Sequence, residues 1–235
     1  MDRPLKTLPA SFAQQRLWFL ARLDPRGSTA YHLTGGLRLQ GRLDEGALRA
    51  ALDRIVERHE VLRTCLVEVQ GQVRQHILPA AGFCLQQTDL LHHAQPAAAV
   101  DAYARAQSCR AFDLAQGPLI RGQLLQLDAQ HYVLLMTLHH LVSDGWSMGL
   151  LLKELGTLYA AFLSGHPDPL PPLPVQYADY AIWQHKPAMR CNATLRIGKP
   201  SLAAHRRCYR CHWIARARCS KTMPAPASHS CCRRR

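Results

Sequence analysis

Apolar and polar positions alternate along this chain with two periods, and the switches between them mark out the elements. From Ser11 to Leu23 the apolar residues Phe12, Leu17, Trp18, Phe19, Leu20 and Leu23 predict a helix, broken by Pro25 and Gly27. Tyr31–Leu39 predicts a strand. Asp44–His59 sets Leu48, Leu52, Ile55 and Val56 on one stripe with charges opposite, as an amphipathic helix does. Val61–Val69 and Gln72–Leu78 flank Gly71 as a hairpin. Alanines predict a helix over Ala97–Cys109. Leu119–Leu127 and Tyr132–Leu138 predict a second strand pair around Asp128–Gln130. After Gly145, Met148, Leu151, Leu152, Leu155, Tyr159 and Phe162 recur at helical spacing until Ser164-Gly165, and a proline-rich stretch follows from Pro167 to Pro174. The order αβαββαββα predicts an α/β fold, α+β with a mixed sheet.

The junction between the last strand and the last long helix carries the chemistry. It reads His139-His140-Leu141-Val142-Ser143-Asp144-Gly145. Neighbouring strand residues face opposite sides, so one imidazole is expected to be structural and the other available to a cleft. A neutral imidazole can take a proton from an attacking amine or hydroxyl near physiological pH. Asp144 would be costly to bury alone, so it is expected to pair with an arginine. Gly145 is expected to provide a backbone angle or a close approach that a Cβ would prevent. It would also leave helix N-terminal N–H groups facing a developing negative charge. His92-His93 serves as an internal control: it lacks the flanking strand and the Asp-Gly, and no role is assigned to it. Metal binding by His139, His140 and Asp144 is not expected, because the ligands diverge and no further one stands at metal-site spacing.

Charge splits the chain. The net charge of +13 suggests a nucleic-acid binder. Yet residues 186–235 hold 13 of the Lys and Arg and no Asp or Glu, which leaves residues 1–185 with 16 of each sign. Nucleic acid is therefore not an expected partner of the body. Six of nine cysteines also lie in the tail, leaving Cys65, Cys84 and Cys109, so a reducing, cytoplasmic setting is expected. No signal peptide is read in Met1–Leu23, and no apolar run approaches the roughly 18–20 residues that span a bilayer. The tail is expected to be disordered or poorly structured, and to be an out-of-frame readthrough or a similar truncation product. Its Cys208-Tyr209-Arg210-Cys211-His212 matches the CxxCH pattern of haem attachment, but haem loading needs export, so no haem or zinc is expected there.

Four separated blocks resemble the condensation domains of nonribosomal peptide synthetases. Ser11–Leu20 resembles the family's SxAQxRLWxL opening, Arg58–Thr64 its RHExLRT block, His139–Ser147 its HHxxxDGWS block, and Tyr177–Gln184 its YxDYAxWQ block. Phe112-Asp113-Leu114 with Gly117-Pro118-Leu119 is also similar. The resemblance implies a chloramphenicol-acetyltransferase-like architecture of two lobes around a cleft, with residues 1–185 forming the N-terminal lobe. It implies amide formation between a donor and an acceptor thioester, each carried on the phosphopantetheine arm of a peptidyl carrier protein, with an adenylation domain in the same assembly line. No cofactor would be bound directly. His140 would position or deprotonate the attacking amine and His139 would be structural. Asp144 would form a salt bridge with Arg16, Arg58 or Arg63. Gly145 with the Trp146-Ser147 backbone would wall the reacting carbonyl. The run from Ser143 to Met148 resembles the type that joins two L-residues more than an epimerisation domain. A complete domain of this family is about twice the matching length, so the isolated chain is expected to be inactive. The alternatives are a smaller acyltransferase using acyl-CoA and a non-catalytic basic binding module.

Overall fold

Helix starts are set by side chains that satisfy the free N–H groups of a first turn. The structure, a computed structural model, describes residues 6–24 and 27–186. The basic tail beyond Lys186, with its CxxCH motif and expected disorder, lies outside the described residues. In chain order the elements are β1 (Lys6–Pro9), α1 (Phe12–Leu23), β2 (His32–Gln40), α2 (Glu45–Arg58), β3 (Thr64–Val69), β4 (Gln72–Ile77), β5 (Leu85–Asp89), α3 (Pro96–Cys109), β6 (Ile120–Gln126), β7 (His131–His139), α4 (Gly145–Leu163) and α5 (Tyr177–Gln184). Ser11, Asp44 and Asp144 cap α1, α2 and α4, each accepting from the backbone N–H three residues on. At Ser11 the cap is reciprocal, because the Gln14 side chain accepts from the Ser11 N–H at 3.0 Å.

The nine elements read from periodicity are present, and β1, β5 and α5 join them. The strands form two sheets. One is antiparallel in the order β1-β4-β3; the other runs β2-β7-β6-β5, with β5 parallel to β6 and the rest antiparallel. The fold is therefore mixed α/β, as the pattern implies. The β3–β4 hairpin closes on Gln70-Gly71, with Val69 paired to Gln72 and both turn residues at positive φ (51° and 72°). Two such residues in succession suit the right-handed twist of a two-residue hairpin, and glycine takes the second without strain.

β7 organises the core. Leu134, Met136 and Leu138 point to one side, where Leu52, Ile55, Leu151, Leu155 and Leu158 of α2 and α4 meet them. Val133 and Leu135 point to the other and pack with Leu90, Ala99, Val100 and Leu125 beneath α3. This period of two carries β7 through the centre with its residues from Tyr132 to His139 all buried. A Cβ built on Gly122 would come within 2.6 Å of the Phe83 ring, so β6 has glycine where that ring crosses it.

Candidate active site

β7 ends at His139, and the chain turns immediately. His139 is completely buried. Its Nδ1 accepts from the Leu141 N–H at 3.1 Å, so its proton sits on Nε2, which donates to Ser28 Oγ at 3.3 Å. Burial, with His32 and His140 adding to it, pushes its pKa down to about 4, and the ring is neutral at pH 7. His32, Phe112 and Tyr31 crowd its faces. Behind them Arg121 lies 3.9 Å over the Phe112 ring and donates to Gln107 Oε1 at 2.8 Å. Burial, then Arg110, lowers the pKa of Arg121 to about 10. His32 is likewise lowered by burial. The wall behind His139 thus disfavours any further positive charge.

His140 is the first residue of the turn and is exposed. Its backbone N–H donates to Tyr31 O at 2.8 Å, which continues the β2–β7 ladder by one bond. Its Nδ1 donates to Ser143 O at 2.7 Å, and a carbonyl can only accept, so the neutral ring carries its lone pair on Nε2. His140 lines a cavity of about 450 Å³ together with Arg16, Tyr31, His59, Ser143, Asp144, Ser147 and Tyr177 and the apolar Ala13, Leu17, Val61, Leu62, Leu141, Val142, Leu150 and Leu151. The two histidines are divided by position, one sealed and one facing a cavity.

The expected salt bridge of Asp144 is corrected by the structure. Among the described residues no arginine is paired with it. Its Oδ1 accepts from Ser147 N–H at 2.8 Å and from Ser147 Oγ at 2.7 Å, making it the cap of α4. These bonds, the side-chain one first, hold its carboxyl below the usual carboxylate range. The positive end of α4 supplies what a guanidinium was expected to supply. Arg58 instead pairs with Glu154 at 3.4 Å and donates to Pro171 O at 2.6 Å. Arg63 donates to Leu78 O and lies 3.8 Å from Glu60. Arg16 shares the cavity with Asp144 but is not ion-paired to it. Gly145 also differs from expectation: it has no positive φ, and a Cβ there would meet nothing within 4 Å. Ser147 lines the cavity whereas Trp146 does not; its side chain, 85% exposed, stands on the outer face of the first turn of α4.

Several site residues escape periodicity. Glu154 lies on the buried side of α4 between Leu151 and Leu155, and its Oε2 is 2.6 Å from His59 Nε2. A carboxylate in an apolar stripe demands a partner, and that signal was readable. Gln176 ties α2 to α5, donating to Arg58 O at 3.0 Å and accepting from Glu60 N–H at 3.2 Å. Tyr177 then reaches Ser11 Oγ at 2.9 Å. Among the described residues, no three His, Cys, Asp or Glu are grouped to hold a metal ion, and no helix is long and apolar enough to cross a membrane.

Comparison with known proteins agrees with this geometry. Residues 5–192 match the family model for the Condensation domain. Malpinin synthetase of Mortierella alpina is 48% identical over 179 residues, covering 76% of this chain and 2% of that protein. A dimodular nonribosomal peptide synthase of Bacillus subtilis is 45% identical over 186 residues, covering 79% of this chain and 8% of that protein. The starter condensation domain of rhizomide synthetase superposes with a TM-score of 0.69 at 25% identity, over 75% of this chain and 42% of that one. The chain therefore spans a small part of its curated relatives and about two fifths of a solved condensation domain. The fold and the four sequence blocks have one explanation: the chain belongs to the condensation-domain family of nonribosomal peptide synthetases.

Proposed function

We propose that residues 1–185 form the histidine-bearing lobe of a condensation domain that joins two carrier-bound thioesters, of the type linking two L-residues. The observation that carries this reading is the His140 ring, with Nδ1 tied to Ser143 O and Nε2 left as an acceptor on a cavity wall. Nε2 accepts a hydrogen bond from the amine of the acceptor, and this turns the amine's own lone pair toward the donor carbonyl. As the C–N bond forms, the C–S bond breaks. The amine proton leaves through His140 to the departing phosphopantetheine thiolate, so the imidazole ends as it began. His139 positions the turn and takes no proton. Asp144 and Ser147 hold the first turn of α4. The phosphopantetheine arms belong to partner carrier proteins and supply the thioesters; no group resident in this chain is required.

The 235-residue polypeptide alone is proposed to be inactive. It aligns with about two fifths of a condensation domain, and Leu150 stands exposed on the cavity wall. A half-site open to water lacks the low-dielectric surroundings that make fixed dipoles effective. Carrier proteins loaded with donor and acceptor test this. Amide product is expected from a version completed with a second lobe and not from the chain alone. His140→Ala in the completed version is expected to lower the rate about 10²–10⁴-fold. Full turnover by the chain alone contradicts the half-site. Unchanged turnover by His140→Ala contradicts the role of that residue.

A further inference from the structure

Resting on the condensation reading, we infer that the Tyr177 hydroxyl is a hydrogen-bond donor to the carbonyl oxygen of a thioester bound beside His140. Ser11 is fully buried, and its Oγ already accepts the Gln14 N–H at 3.1 Å as the cap of α1. The hydroxyl hydrogen of Ser11 still needs an acceptor, because a stranded buried donor is costly. The partner at hand among the described residues is Tyr177 Oη, 2.9 Å away. If Tyr177 donated to Ser11, the Ser11 hydrogen would be left inside the protein with nowhere to go. The satisfied arrangement therefore runs from Gln14 N–H to Ser11 O–H to Tyr177 O–H. The last hydrogen of that chain is free, and it belongs to a residue of the His140 cavity wall.

The phenol is suited to donate. Burial raises its pKa, the Ser11 hydrogen bond offsets part of the rise, and Tyr180 and Asp144 add to it, so the group keeps its proton at neutral pH. Each donor in the relay polarises the next, and the relay starts at a first-turn N–H of α1. The cavity then offers two complementary groups: His140 Nε2 accepts, and Tyr177 Oη donates. An amine and a carbonyl are the ligand groups that match. When the amine attacks, the carbonyl electron pair moves onto oxygen and the Tyr177 hydrogen bond strengthens. Collapse returns that pair, expels the thiolate and leaves the phenol unchanged, so the group acts without being consumed.

The test uses the 235-residue chain with tyrosine Cζ and histidine rings isotopically labelled, titrated with leucyl-N-acetylcysteamine, which carries both an amine and a thioester carbonyl. NMR is expected to show the Tyr177 Cζ signal, identified by its loss in Tyr177→Phe, moving together with the His140 ring. Affinity is expected to fall about fivefold to tenfold in Tyr177→Phe, the usual worth of one neutral hydrogen bond. Ser11→Ala removes the same interhelical bond but keeps the phenol. It also removes the cap of α1, so it is expected to lower Tm more than Tyr177→Phe while weakening the probe less. If the His140 ring responds while Tyr177 Cζ stays fixed, the inference is overturned and the condensation reading stands. If neither responds at saturating probe, both fall. Should Tyr177→Phe not fold, the Cζ signal in the unaltered chain is identified by its contact with Ser11, and its shift decides.

Discussion

His139 and His140 share a peptide bond yet carry their ring protons on opposite nitrogens. The Leu141 N–H fixes the proton of His139 on Nε2, and the Ser143 carbonyl fixes that of His140 on Nδ1. Backbone groups of one four-residue turn thus assign both tautomers. No carboxylate is needed to orient the His140 ring, because the turn does so.

Acid should weaken the fold through His139. Its pKa is about 4 in the folded chain and 6.5 as an ordinary histidine, so the unfolded chain binds the extra proton first. Stability is fully present above pH 6.5, declines as pH falls toward 4, and loses nothing more from this group below that. The loss is on the order of 3 kcal/mol at about 1.4 kcal/mol per pH unit. His32, also lowered by burial, acts in the same direction. Urea unfolding across pH 7 to 4 measures it, and His139→Gln should flatten the slope. An equal slope in that variant would show that other groups carry the effect.

Asp144→Ala should cost about 1 kcal/mol by removing the cap of α4, or roughly 2–4 °C in Tm. Asp144→Asn keeps an oxygen for the Ser147 N–H and should cost less. Were a salt bridge the source of stability, Asn would be as damaging as Ala.

Glu154→Gln should be more severe. Arg58 and Glu154 have side chains only 5% and 8% exposed, so the substitution strands a buried guanidinium. The expected loss is about 3–5 kcal/mol, read by denaturant unfolding. The bond from Arg58 to Pro171 O survives and favours the lower end. Pairing Arg58→Met with Glu154→Leu should recover much of the loss.

Gly145→Ala should separate folding from chemistry. The added methyl meets nothing within 4 Å, and alanine suits a first helical turn better than glycine. Its Tm should be unchanged or slightly raised. In a domain with both lobes, the same methyl would crowd whatever approaches the start of α4, and amide formation should slow. A fall in Tm would mean that Gly145 serves this lobe itself.

The sequence pattern anticipated most of the fold because the long elements bury one clear stripe or face. Leu48, Leu52, Ile55 and Val56 mark α2, and the near-continuous apolar run from Tyr132 to Leu138 marks β7. What it missed is held by tertiary partners. β5, Leu-Gln-Gln-Thr-Asp, is polar and exists through parallel pairing with β6. β1 contains Pro9 and exists through β4. At the site, the histidine pair was legible because strand geometry forces its two rings apart. The partner of Asp144 was not, because a helix N-terminus satisfies a carboxylate as well as an arginine does, and charge alone does not distinguish them. The partner of Arg58 was legible in principle, since Glu154 interrupts an apolar face.

The ring nitrogens of His140 provide the most direct test of the account. In ¹⁵N-histidine NMR of the 235-residue chain, the neutral His140 ring should carry its proton on Nδ1, and Nε2 should respond when an amine-bearing thioester mimic is added. A His140 ring with its proton on Nε2, or one indifferent to the mimic, would contradict the assignment of this imidazole to the attacking amine.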